Sequence, residues 1–231
     1  MTTPSIRGGV DRSHGSSSPQ KATFLLLHII SLAICGFLVS GTTTIPGTNI
    51  SPRAWLLLAV IVFAFARHAF TLYILIVRKI TWQEGLPLGF FLILQEVGFL
   101  TLGMGILYVQ VPPLGWLDGV GVALFLAGSG ITTGSEFQRM VWKRNPEHKG
   151  KCYKEGLFRH SVHINYFGEV VSYSGWAILT ATWWTGILPL FMLVMFVFYH
   201  IPHLDTHLRE RYGKDFEEYE KRTKKLIPFV Y

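Results

Sequence analysis

The residues best equipped for chemistry lie between Asn145 and Trp176, in the stretch NPEHKGKCYKEGLFRHSVHINYFGEVVSYSGW. Lys149, Lys151 and Arg159 are cations able to neutralise phosphate oxygens, and a guanidinium can do so with two parallel N–H bonds. His163, Asn165 and Tyr166 offer donors and acceptors that lose little freedom when fixed. Gly168 allows close backbone approach, and Glu169 can accept from a ribose hydroxyl pair or an amide. These types suit an anionic cofactor. They fit a plainer role equally: a cationic loop at a membrane face, followed by a helix whose long side chains reach the interface.

A second group lies within apolar runs, where an ionisable side chain is costly and is a functional candidate by default. Gln95-Glu96 interrupts FLILQEVGFL, and Arg67-His68 interrupts FAFARHAFTLY. Glu96 is a candidate general acid that would pass a proton to a substrate oxygen. The alternative is that Arg67 or His68 pairs with Glu96 to stabilise the helices. His28, near the start of the first run, reads as interfacial. No metal is expected: Cys35 sits in an apolar run, Cys152 in a Lys-rich segment, and the nine His are scattered without ligand spacing.

Elements of a particular kind must position these groups. Half of the 231 residues are hydrophobic and only 15% are charged, against roughly a quarter in soluble domains. That excludes a soluble enzyme, a disordered chain and a collagen-like repeat. Apolar runs at about 22–42, 54–77, 86–109 and 115–134 are each near the ~20 residues that cross a bilayer. Apolar character resumes from Val170 to Tyr199, and the break at Trp183-Trp184-Thr185-Gly186 predicts a helical hairpin. The expected fold is an all-α polytopic membrane bundle of about six transmembrane helices, with a cytosolic loop and a C-terminal amphipathic helix. The parts are a disordered tail (1–21), four transmembrane helices (22–135), and a C-terminal cofactor-binding region with the hairpin (136–231). The tail is Ser-, Thr- and Arg-rich, so part of a transit peptide is an alternative reading.

The net charge of +7 gains meaning from its placement. With a cytosolic N-terminus, every Lys and Arg except Arg53 and Arg67 falls in cytosolic segments. This positive-inside pattern puts both termini in the cytosol. It accounts for the charge without a nucleic-acid partner. Asn49-Ile50-Ser51 is a glycosylation sequon on the far side, disfavoured by Pro52 and by the nearby membrane.

The C-terminal segment resembles the signature of the steroid 5-alpha-reductase superfamily, especially its branch of steroid-5-alpha-reductase-like C-terminal domains. The match is carried by Lys151, Gly156, Leu157, Arg159, Ser161, His163, Asn165, Tyr166, Phe167, Gly168 and Glu169. His163 to Tyr166 (His-Ile-Asn-Tyr) also resembles the sterol C14-type reductases. So does the tail carrying Tyr212-Gly213, Tyr219, Ile227-Pro228 and Tyr231. The isoprenylcysteine carboxyl methyltransferases share the same membrane core. The resemblance covers about 140–231 and implies a cofactor site made of the residues above with Asp205 and Tyr219. Two positions depart from the pattern: Val162 replaces an Arg before the His, and Asp205 replaces a Glu. Leu94-Gln95-Glu96 is similar to the Leu-Gln-Glu of steroid 5-alpha-reductases, whose Glu helps polarise the enone carbonyl.

The expectation is therefore an NADPH-dependent membrane reductase of a lipid or sterol double bond, with Glu96 and Tyr166 as catalytic groups. The cofactor-binding residues would be Lys149, Lys151, Arg159, His163, Asn165, Tyr166, Gly168, Glu169, Asp205 and Tyr219. A lipid-like substrate would enter sideways from the bilayer, in the endoplasmic reticulum by default. The alternatives are an S-adenosylmethionine-dependent methyltransferase, which needs fewer phosphate-binding cations, and a non-catalytic membrane protein.

Overall fold

The computed structural model describes residues 6–7, 10–11, 15–42, 46, 48–107 and 111–231. Residues 1–5, 8–9 and 12–14 of the N-terminal tail, on which the transit-peptide reading largely rests, lie outside the described residues. Within the tail Ile6–Arg7 (β1) pairs antiparallel with Val10–Asp11 (β2), and these are the only strands among the described residues. Everything else regular is helical.

The chain divides into two compact units. The first comprises Met1–Ala123 with Gly175–Gly186, the second Leu124–Ser174 with Ile187–Tyr231. Five helical stretches are long and apolar enough to cross a membrane: Ser18–Val39, Pro52–Leu75, Trp82–Gly103, Trp116–Lys143 and Trp183–Tyr212. The protein is an integral membrane protein. A sixth helix, Ile164–Leu179, has 16 residues, so one of the expected spans is short.

In the first unit α1 (Ser18–Val39) packs chiefly on α3 (Trp82–Gly103) and also on α2 (Pro52–Phe70). Helix α2 starts where its residues dictate: Ser51 caps it by accepting from the Ala54 N–H, and Pro52, which has no N–H to lose, takes the first turn. Thr81 caps α3 in the same way. The end of α2 widens into a π-turn, Thr71–Leu75.

Arg53, the far-side exception to the charge pattern, is 3% exposed and forms a two-pronged ion pair with Asp118. It also donates to the Leu179 carbonyl at 2.8 Å, while Asp118 accepts from the Gly115 N–H at 2.7 Å. This cation is a buried structural clamp and carries no topological signal.

The second unit contains the C-terminal two-thirds of α4 (Trp116–Lys143), most of α5 (Ile164–Leu179), and α6 (Ile187–Met195). It also holds α7 (Ile201–Tyr212) and α8 (Lys214–Arg222). Helix α4 runs well past the predicted end of the fourth span near 134, because residues 136–143 include good helix formers (Glu136, Gln138, Arg139, Met140, Lys143) and no Gly or Pro. The hairpin break is present: α5 stops at Leu179 and helix resumes beyond the short turn Trp183–Gly186. The expected single amphipathic helix is two, because Gly213 has a φ of +53° and turns the chain between α7 and α8.

Close packing of α4 on α5 depends on two glycines. A Cβ on Gly168 would sit 2.5 Å from Thr132 Oγ1 and 2.8 Å from the Gly128 carbonyl. A Cβ on Gly128 would sit 2.3 Å from the Ser172 backbone nitrogen. Near this crossing, Thr132 Oγ1 donates to the Asn165 carbonyl at 3.0 Å and Ser129 hydrogen-bonds Ser172 at 3.0 Å.

Candidate functional site

The sequence-predicted residues of the second unit fall into two sets. His163, Tyr166 and Asp205 come together, while Asn165 beside them turns to α4. His163 begins the turn into α5 and is 1% exposed; its Nε2 lies 2.8 Å from Asp205 Oδ1 on α7. Lys225 Nζ donates to the other oxygen of Asp205 at 3.0 Å. One buried carboxylate is thus held by two cation-capable groups from opposite sides, which offsets its loss of hydration. Asn165 Nδ2 donates to Glu136 at 2.9 Å, and Glu136 in turn pairs with Arg139 one turn along α4. The Tyr166 ring lies parallel to Phe196 at 4.5 Å and to His163 at 5.7 Å. Phe196 is presented by a π-turn, Phe196–His200, a local widening often found where a helix serves a site.

The tail holds this arrangement shut. Val162 N–H donates to the Lys224 carbonyl at 2.8 Å and His163 N–H to the Lys225 carbonyl at 2.9 Å. The Ser161 hydroxyl bonds the carbonyls of both Lys225 and Leu226. Tyr219, 2% exposed, donates its hydroxyl to the Phe158 carbonyl. Burial pushes that phenol above its ordinary range, so it serves as a neutral donor. Val162, where the family pattern has Arg, is buried with Cys152, Phe216 and Tyr219, so an apolar residue suits the position.

Lys149, Lys151 and Arg159 form the other set. All three are exposed on the segment before α5, and Arg159 Nε contacts His160 at 3.1 Å. Gly168 is occupied by helix packing against α4, and Glu169 is half-buried on α5. Nearby, Lys154 pairs with Asp215 on α8, which also accepts from the Cys152 N–H at 2.8 Å. Burial opposes the Asp215 charge, but the Lys154 ammonium and the Cys152 N–H hold its carboxyl below the usual carboxylate range. Burial and the Asp215 charge push the Cys152 thiol up to about 11, which makes it a poor nucleophile at neutral pH.

Glu96 belongs to the first unit. Leu94 is 75% exposed while Gln95 and Glu96 are 5% and 0% exposed, so α3 turns its apolar neighbour outward and both polar groups inward. The group that approaches Glu96 within ion-pair distance lies on α1. It is His28, fully buried, whose Nε2 lies 2.6 Å from Glu96 Oε1. His28, read from the sequence as interfacial, is buried on α1 against α3. His68 instead meets Arg67 at 3.2 Å.

Lys225, Glu136 and His28 are the residues that sequence reasoning missed as site members. Lys225 read as one of many tail cations, and the only available signal for the others was polarity within or beside an apolar helix. Among the described residues, no set of three His, Cys, Asp or Glu could hold a metal ion.

A polytopic helical membrane protein with a polar C-terminal module locked by a His–Asp–Lys triad is the class that fold and site define. The chain belongs to the family DUF1295, "Protein of unknown function", whose model matches residues 73–223. It is similar to 3-oxo-5-alpha-steroid 4-dehydrogenase 2 of Homo sapiens, 31% identical over 159 residues, or 64% of this chain and 60% of the human protein. The Sus scrofa protein of the same name is 26% identical over 217 residues, covering 92% of this chain and 82% of the relative. The Delta(14)-sterol reductase of Saccharomyces cerevisiae is 29% identical over 161 residues, covering 62% and 36%. These matches place the chain in the steroid 5-alpha-reductase and sterol reductase superfamily. The chain spans about three-fifths of the length of the human relative.

Proposed function

We propose that this chain is an integral membrane oxidoreductase that reduces a carbon–carbon double bond of a sterol or other lipid, using NADPH. The observation that carries the reading is the division of cations in the second unit. Arg139 and Lys154 are committed to Glu136 and Asp215. The side chains of Lys149 and Lys151 make no hydrogen bond or ion pair among the described residues, only their backbone N–H groups being bonded, to Pro146 and His148 carbonyls, and both lie exposed on the same segment as Arg159. Such a set fits the phosphates of a dinucleotide. The names of the relatives, which concern steroid and sterol reduction, support the same chemistry.

NADPH bound there supplies a hydride. The protein's own residues do the rest. Lys149, Lys151 and Arg159 hold phosphate oxygens. The Asn165 amide, oriented by Glu136, and Glu169 present polar atoms, and Tyr166 offers an aromatic face and a hydroxyl. His163, Asp205 and Tyr219 fix the tail that closes over this segment. In the first unit, Glu96 is the group we assign to stabilising charge that develops on a substrate oxygen.

The Asp205 carboxylate is already neutralised by His163 and Lys225, so it offers little to the sulfonium of S-adenosylmethionine. This disfavours the methyltransferase reading. The distribution of Lys and Arg supports cytosolic termini, and the endoplasmic reticulum fits an enzyme whose substrate arrives through the bilayer.

The test is a thermal-stability titration of detergent-purified protein with NADPH and, separately, S-adenosylmethionine. Stabilisation by NADPH alone, weakened about tenfold or more in Kd (about 1.4 kcal/mol) in a K149A/K151A/R159A variant, supports the reductase. Stabilisation by S-adenosylmethionine alone supports the methyltransferase, and no response to either overturns both.

A further inference from the structure

We propose that His28 is a positioning residue that sets and restores the proton on Glu96. The inference deepens the reductase reading above, since it concerns the acid assigned there. His28 on α1 and Glu96 on α3 are both 0% exposed and approach to 2.6 Å. That approach lies off the line of a hydrogen bond, and both Glu96 oxygens, both His28 nitrogens and both polar atoms of Gln95 lack a hydrogen-bond partner among the described residues. A pair evolved only to hold helices together would satisfy these atoms, because each buried unsatisfied polar group costs about 1–3 kcal/mol. No bulk water offsets that cost within a membrane span. The geometry describes a polar group kept ready for a partner that comes and goes.

The surroundings fix the imidazole and line up further proton-carrying groups. Phe65 meets the His28 ring edge-on at 5.2 Å, and the His68 ring lies 5.3 Å away. His68 contacts Arg67 at 3.2 Å. Cys35, buried on α1, also interacts electrostatically with Glu96. The charged and titratable groups facing the pair are therefore Cys35 from α1 and Arg67 and His68 from α2. Glu96 passes its proton to the substrate oxygen, and the Nε2 proton of the His28 imidazolium moves to the resulting carboxylate. His28 is left neutral until a proton from water returns to it. No electrons are exchanged in these transfers.

The experiment is H28Q in the full-length, detergent-purified chain, with two readouts. The first is the infrared carboxyl band of Glu96, assigned by its loss in E96Q. The second is the steady-state reduction of an enone steroid by NADPH across pH. The expected result is a changed Glu96 band, kcat lowered about a hundredfold, KM within about twofold and a flattened acid limb of the pH profile. An unchanged band overturns the proposal, as does a normal kcat with only KM or thermal stability altered. Where the parent itself reduces no enone, the reductase reading fails but the band still decides the pairing. Where H28Q does not fold, ring-labelled histidine NMR of the parent and E96Q decides: one histidine signal moving between them supports the pairing, and none moving overturns it.

Discussion

Asp205 shares its two carboxylate oxygens between His163, at 2.8 Å, and Lys225, at 3.0 Å. The three residues come from the start of α5, from α7 and from the C-terminal tail, so this single carboxylate ties the tail onto the segment that carries the family motif. The partners lie 42 and 20 residues away along the chain. Because Asp205 is 2% exposed, the tie is made where water competes little.

Removing that carboxylate leaves a buried histidine and a displaced tail lysine. D205A should lose about 3–5 kcal/mol of stability, in the range seen when one member of a buried pair is deleted. Limited proteolysis should cut the tail beyond Thr223 faster than in the parent. A D205A protein whose tail is as resistant as the parent's would refute the role of Asp205 as its anchor.

Arg53 and Asp118 make the equivalent buried tie in the first unit. R53L alone strands a carboxylate and should lower stability by about 3–5 kcal/mol. The double variant R53L/D118L, with both charges gone, should recover part of the loss. Additive losses in a double-mutant cycle would show that the two residues are not coupled.

Gly168 and Gly128 are predicted to resist even one methyl group. G168A or G128A drives a Cβ into backbone atoms of the facing helix and should cost about 1–3 kcal/mol. At Gly134 on the same helix α4, a Cβ would find its nearest neighbour at 3.9 Å. G134A should therefore match or slightly exceed the parent in thermal stability, since alanine favours helix.

Asp215 gives an acid-dependent contribution of known sign. Its carboxyl is held below the ordinary value despite the opposing effect of burial, so it adds stability above the unfolded-state pKa of about 3.9. That contribution fades as pH falls through the lower folded-state value. Parent and D215N should therefore differ at neutral pH and converge in acid. The magnitude is small, because the Lys154–Asp215 pair is about a third exposed. Curves that stay parallel into acid would contradict the assignment.

Much of this was legible without coordinates. Four apolar runs and the resumed run from Val170 mapped onto helices, since crossing a bilayer demands a length and a composition that sequence displays directly. The hairpin break at Trp183 was legible for the same reason. The short α5 was not, because its first turn is cut from the polar motif segment. The extension of α4 to Lys143 was missed because Glu136, Gln138, Arg139 and Lys143 break the apolar run, although Phe137, Met140 and Val141 keep helical spacing.

The sequence by itself determined the class, the helix count to within one short span, and the motif that assigns the family. These depend on local composition and spacing. The tertiary structure alone decided which residue meets which. His28 on α1 was brought against Glu96 on α3, Lys225 was singled out from seven tail cations to meet Asp205, and Arg53 proved to be a clamp. Each of these is a contact between segments far apart in the chain, set by which face a helix turns to its neighbour. That choice is made by the packing of whole helices, and no single run of residues carries it.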